Sequence, residues 1–236
     1  MTVIWLCHGT GDGIVIKTRF PFRTEVGAAR TNYMNRKGTP GIVVQAFVSA
    51  ELEFVFISAK LSGSTHDWIA YSCTSLAESI AANHLPQQYF MVADAAYVCS
   101  EQLLTPWPGN DLTPAQDAFN YHLSIMRQVV ERSFGVLIQR WGIFWQHLRF
   151  GMKCWSLVML VCCKLHNWCI KTRDSVPAMN ANQSHMHKQA FQDGMQQMAA
   201  AKTIWPGRRV DLEQSKRRTI ITMLLEKNRA FRPLSY

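Results

Sequence analysis

Apolar residues recur along the 236-residue chain with two periods, and the switch between them divides it into elements. From Val3 to Lys17 the pattern is β-branched and strand-like, interrupted by His8-Gly9-Thr10-Gly11-Asp12-Gly13 and resumed at Ile14-Val15-Ile16. Asp12 therefore sits within or beside a strand. After a loop rich in Arg and Thr, Asn35-Arg36-Lys37-Gly38 reads as a turn. Gly41 to Val48 and Phe54 to Ser58 read as paired strands of an antiparallel meander. Ser64 or Thr65 is placed to cap a helix with Asp67 in its first turn, running through Ile69, Leu76 and Ile80 toward His84-Leu85-Pro86. The run Tyr89-Phe90-Met91-Val92-Ala93, closed by Asp94, predicts a buried strand reached by a helical crossover.

Thr113-Pro114-Ala115-Gln116 is a capping box with proline at the first helical position. The helix it opens carries Phe119, Leu123, Met126, Val130, Phe134, Leu137 and Trp141 at steps of three and four, with Glu131 at the border of that stripe. A second helix is predicted over Met152 to Ile170, apolar almost all round and therefore buried. Its apolar run is shorter than the roughly 20 residues of a membrane span and carries Lys164, His166 and Asn167, so no membrane span is expected. Residues 174–201 read as a polar connector, partly helical or disordered, and Ser215 to Leu225 as a basic amphipathic helix.

Charge narrows the partner. The net charge of +9 is distributed as −3 over residues 1–126, +7 over 127–173, −1 over 174–201 and +6 over 202–236. Two basic blocks beside a mildly acidic half suit a polyanion, nucleic acid above all; a solvated face with a basic tail is the other reading. With 48% hydrophobic residues the chain can bury a core and is not globally disordered. The seven cysteines are odd in number and irregularly spaced, and no apolar signal region follows Met1, which predicts a reducing, intracellular setting.

The element order puts one acid beside the first strand, one just after the fourth and one on the later helix. Strand ends bring Asp12 and Asp94 to one edge of the sheet, and a helix packed on the sheet can present Glu131 to the same point. Three converging carboxylates make a hard-oxygen site suited to Mg²⁺ or Mn²⁺.

A colinear set of motifs accompanies these acids: Asp12-Gly13-Ile14, Asn35-Arg36-Lys37-Gly38, Val44-Gln45-Ala46, Gly63-Ser64-Thr65-His66-Asp67, Ala93-Asp94-Ala95-Ala96-Tyr97, Leu104-Thr105-Pro106, Leu112 to Gln116, Val130-Glu131-Arg132-Ser133-Phe134-Gly135 and Leu165-His166-Asn167. Together they resemble the DDE superfamily endonuclease domain of Harbinger-type transposases. The resemblance implies an α/β, RNase H-like mixed sheet flanked by helices, with a helical or partly disordered C-terminal extension. It implies that Asp12, Asp94 and Glu131 are the catalytic and metal-holding acids, with a divalent cation, Mg²⁺ or Mn²⁺, as cofactor. It further implies DNA as substrate, a Myb-like DNA-binding partner protein and a nuclear location. On this reading residues 1–173 are the nuclease domain, 174–201 the connector and 202–236 a basic segment, and the family's usual N-terminal helical region is lacking. Gly11 stands where an apolar residue commonly precedes the first acid, and Ala93 and Ala95-Ala96 replace a more usual Gly-Asp-Ser-Gly. Those departures support the rival expectation, a truncated or domesticated transposase-derived protein that binds DNA or another protein without cutting.

Plainer readings stand beside these. Asp12 between glycines is an ordinary turn residue, Asp94 a strand terminator, and Glu131 a helical partner for Arg127 one turn earlier. His66 and Asp67 are possible accessory residues, more simply explained as a helix start. Cys162, Cys163, His166 and Cys169 share one helix and cannot all face one zinc, so buried packing is expected. Arg127, Arg132, Arg140, Arg149 and Lys153 follow or surround the third acid as phosphate contacts, or as a solvated face. Lys216-Arg217-Arg218 reads as a nuclear localisation element or further DNA contact.

Overall fold

The glycine-interrupted run forms one unbroken strand, β1 (Leu6–Lys17). Gly9 and Gly11 mark close approaches within it instead of a turn. Gly11 pairs with Phe47 on β2 (Gly41–Val48), and a Cβ on Gly11 would lie 2.4 Å from the Phe47 ring. The computed structural model describes residues 6–35, 38–199 and 215–232. The start of the predicted strand at Val3, Arg36 and Lys37 of the predicted turn, 200–201 of the connector, and 202–214 and 233–236 of the basic segment lie outside the described residues.

β1 runs antiparallel to β2, which runs antiparallel to β3 (Phe54–Ser62) as the meander predicts. A short helix α1 (Arg23–Val26) and a 3₁₀ turn (Gly27–Tyr33) fill the loop before β2. The single helix expected after β3 is two: α2 (Asp67–Ser72) and α3 (Ser75–Ala81). Thr74 breaks them, its hydroxyl accepting from Ala77 N at 3.1 Å as the cap of α3. The cap position of α2 is His66, not Ser64 or Thr65; Thr65 lies 3.2 Å from the Ser62 hydroxyl instead. This crossover delivers β4 (Tyr89–Val92) parallel to β1, and a two-residue strand, β5 (Leu103–Leu104), adds parallel to β4. The order β3-β2-β1-β4-β5, with helices on both faces, is an RNase H-like α/β fold.

Strand alternation sends Ile14, Ile16, Val44, Ala46 and Val48 to one face, where α4 (Pro114–Arg140) and α5 (Trp155–Lys171) cover them. Phe47, Met91 and Tyr97 pack with Tyr71 and Ile80 of α2 and α3 on the other face. The capping box forms as read: Thr113 Oγ1 accepts from Gln116 N at 3.3 Å and Gln116 Oε1 from Thr113 N at 2.9 Å.

Further readings of the helices are sharpened. Helix α5 is not buried all round: Trp155, Met159, Cys162, Cys163, His166 and Cys169 face the core, while Leu157, Leu160, Val161, Leu165 and Trp168 are exposed. An apolar composition could not say which stripe meets the sheet. The 174–201 segment holds a helix, as its partly helical reading allowed, but this helix, α6 (Ala181–Ala199), packs on β1 and does not merely connect. Ala190 is buried there, Lys17 pairs with Asp193, and a Cβ on Gly194 would meet Ile14 Cγ1 at 2.7 Å. Finally, α7 (Lys216–Lys227), capped by Ser215, spends its first-turn arginines inside the fold. Arg217 donates to Tyr89 O and Gln87 O at 2.6 Å each, and Arg218, fully buried, stacks on Trp107 at 3.8 Å and donates to Pro106 O. Neither side chain is presented to DNA in this fold.

Among the described residues no helix is long and apolar enough to cross a membrane. The Leu165-His166-Asn167 motif has a structural office. His166 Nε2 lies 2.9 Å from Leu52 O, and Asn167 brackets the backbone of Phe54, accepting from its N at 2.8 Å and donating to its O at 2.9 Å. It clamps the β2–β3 hairpin to α5. Asn167→Ala removes two hydrogen bonds at a half-buried backbone and is expected to cost about 1–3 kcal/mol in urea unfolding; an unchanged midpoint would refute the clamp.

Candidate active site

Alternation also decides which acids can meet. Asp12 is in step with Ile14 and Ile16, and Asp94 with Phe90 and Val92, so both belong to the face that α4 covers. Thr10 of β1 pairs with Val92, the last residue of β4, so Asp12 on β1 and Asp94 in the loop that leaves β4 each follow that pair by two residues. Each is 1% exposed. Glu131 stands half-buried on α4 beside Val130, at the stripe border.

Backbone groups hold both aspartates. Asp12 Oδ1 accepts from Gly13 N at 2.8 Å, and Asp94 Oδ1 accepts from Ala96 N at 2.7 Å, the geometry of an Asx turn closed by Tyr97 N to Asp94 O at 3.2 Å. Asp12 Oδ2 accepts from the Arg127 guanidinium at 2.5 Å. Burial pulls the Arg127 pKa down, but Asp12, Asp94 and Glu131 together raise it above its ordinary value. All three acids thus act on one arginine, which stays charged.

Behind the acids, on the α2 face, lies a second polar group that joins Asp67, expected as a possible accessory residue, to Gln45 and Tyr97, for which no role was expected. Gln45, the one polar residue in the run Gly41–Val48, donates through Nε2 to Asp67 Oδ1 at 2.9 Å and accepts from the Tyr97 hydroxyl. Burial, then Asp67, Asp12 and Asp94, push the Tyr97 phenol well above its ordinary pKa, so it remains a protonated donor. Asp67, 2% exposed, is the buried anchor of this network. A lone glutamine in an otherwise apolar strand was the available signal. The His66 side chain provides no cap to α2.

The basic residues divide. Arg140 donates to Asp174 Oδ2 at 2.9 Å and to the carbonyls of Asp174 and Ser175, tying α4 to the segment before α6. Arg127 is paired to Asp12, whereas Arg132, Arg149 and Lys153 are exposed.

A family profile described as DDE superfamily endonuclease matches residues 12–167, more than half of the chain. The chain belongs to the DDE superfamily of endonucleases. The match begins at Asp12 and ends at Asn167, the last residue of the hairpin clamp. No curated protein and no solved structure matches the chain. Membership makes this an endonuclease domain, with DNA the implied substrate, in a superfamily that generally uses divalent metals.

The residues present can be tested against such a metal. Their chemistry suits a hard cation, since Asp12, Asp94 and Glu131 offer only carboxylate oxygens. Their arrangement does not: among the described residues no three Asp, Glu, His or Cys side chains are grouped to hold a metal ion, and Asp12 carries a guanidinium. The convergence of three carboxylates expected from element order is therefore incomplete. The strands bring the aspartates together, and Arg127 stands in with them.

Proposed function

We propose that this DDE endonuclease domain cleaves DNA phosphodiester bonds as a transposase-type nuclease, with Asp12, Asp94 and Glu131 as its acids and Mg²⁺ or Mn²⁺ as its cofactor. The observation that carries the reading is two buried aspartates, Asp12 on the central strand β1 and Asp94 just past the end of the adjacent β4, in a fold whose helix α4 bears Glu131, inside a matched endonuclease domain. Bound divalent ions supply nucleophile activation and charge neutralisation in such chemistry. What the chain itself supplies is placement. The Asx turn at Asp94 and the Gly13 contact at Asp12 fix the carboxylates, and Tyr97, held by Gln45 and Asp67, supports the turn from the opposite face.

The finer elements belong to this proposal and rest on the motif resemblance: a Harbinger-type enzyme acting on transposon ends in the nucleus, with a Myb-like partner that supplies sequence specificity. Exposed Arg132 and Lys153 remain its phosphate contacts. A DNA- or protein-binding role without cutting is the second reading, favoured by the pairing of Asp12 with Arg127.

Nicking of supercoiled DNA with Mg²⁺ or Mn²⁺, by wild type and by Asp94→Asn, separates the two. Equal activity in both proteins removes Asp94 from the chemistry. DNA binding is expected to weaken steeply with salt, by about 0.9 log unit per log unit of salt for each phosphate neutralised. Arg132→Ala with Lys153→Ala should lower that slope by about 2, and an unchanged slope would exclude these residues as contacts.

A further inference from the structure

We infer that Arg127 is a built-in competitor for the divalent cation: it holds Asp12 in a cation-excluding pair, and the site assembles when bound DNA draws the guanidinium onto a phosphate. The inference rests on the nuclease reading and explains its one structural disagreement, the missing three-acid group.

Arg127 and Glu131 are one turn apart on α4, where a pair between them is the cheapest arrangement a helix offers. The side chain instead crosses to the central strand and bonds Asp12 Oδ2 at 2.5 Å. Both side chains are largely shielded, that of Arg127 13% exposed and that of Asp12 2%, so water screens the pair little. Asp94, just past the end of the neighbouring strand β4, also acts on the Arg127 charge. The guanidinium therefore occupies the acid-bearing face itself and not its rim.

A guanidinium and a divalent cation repel and compete for the same carboxylate oxygen, so occupancy by one opposes the other. Arginine cannot step aside by losing its proton; it must move. Its planar fork fits a phosphate as well as a carboxylate, so the substrate of a nuclease is a natural alternative partner. Release of Asp12 by DNA then raises metal affinity, and by reciprocity metal raises DNA affinity. Cation binding, and with it cutting, is thereby coupled to the presence of DNA.

The test is Mn²⁺ binding to the full chain without DNA, followed by the resonance of free Mn²⁺, for wild type, Arg127→Gln and Arg127→Lys. Arg127→Gln is expected to bind Mn²⁺ about tenfold more tightly than wild type, with Arg127→Lys between them, and Asp12→Asn added to either should erase the gain. A short duplex should tighten Mn²⁺ binding more in wild type than in Arg127→Gln. If Arg127→Gln does not fold, Arg127→Lys carries the comparison. Equal affinities in wild type and the Arg127 variants, with binding still lost on Asp12→Asn, overturn the competitor role and leave the nuclease reading intact. Absence of any Asp12-dependent Mn²⁺ binding overturns both.

Discussion

Asp94→Asn is expected to lower divalent-cation-dependent nicking by about 10³-fold or more while moving the thermal midpoint by no more than a few degrees. The first half follows from charge. A factor of 10³ corresponds to about 4 kcal/mol of transition-state stabilisation, the scale on which a negative ligand at a metal-assisted site acts. The second half follows from the hydrogen bond Asp94 makes. Asn keeps Oδ1, which accepts from Ala96 N at 2.7 Å, so the Asx turn survives. Asp12→Asn should behave differently. It loses nicking too, but it leaves Arg127 without its main counter-charge and is expected to cost about 1–3 kcal/mol in urea unfolding. That is less than the roughly 3–5 kcal/mol of a fully buried broken pair, because Glu131 one turn away can take up the guanidinium. Wild-type nicking by Asp94→Asn would refute its catalytic assignment. An Asp12→Asn protein as stable as wild type would refute the weight given to the pair with Arg127.

The fold was legible wherever local chemistry and burial agreed. The capping box at Thr113, the meander of β2 and β3 and the crossover to β4 all follow from capping and turn residues and from short apolar runs of strand length, even though β2 is buried on both faces. Legibility failed where composition lacks direction. An apolar helix such as α5 does not announce which stripe is inside, and the polar, methionine-rich stretch of α6 gives little sign that Ala190, Phe191 and Gly194 will seat on β1. The basic start of α7 reads as a surface feature until the carbonyls of Gln87, Tyr89 and Pro106 are seen to take its arginines. A guanidinium can be spent on backbone oxygens that sequence spacing does not reveal.

At the site, alternation placed Asp12 and Asp94 on the same face, and the stripe border placed Glu131 on the helix above them. Sequence could not show Arg127 between helix and strand, since its one-turn spacing from Glu131 suggests the local pair instead. Nor could it show that Gln45, Asp67 and Tyr97, from three separate motifs, form one network behind the acids. Both features depend on contacts between elements far apart in the chain.

Gly11→Ala is expected to destabilise the protein by about 1–3 kcal/mol, the usual range for overpacking a filled core. The reason is specific to this chain. The cross-strand partner of Gly11 is Phe47, fully buried, whose ring carbons lie 2.4 to 2.8 Å from the position of a Gly11 Cβ. The space beside Gly11 is filled by the Phe47 ring, which packs with Phe56, Tyr71 and Tyr97. The glycine is therefore one half of a compensated pair adjacent to the first acid. Compensation is testable by non-additivity: Phe47→Leu opens space that an alanine at position 11 can use. Gly11→Ala with Phe47→Leu should be less destabilised than the sum of the single changes by about 1 kcal/mol or more in urea unfolding. Strict additivity would mean that the ring does not fill the glycine's space. Because residue 11 adjoins Asp12, Gly11→Ala should also weaken Asp12-dependent Mn²⁺ binding, and the double variant should regain part of it.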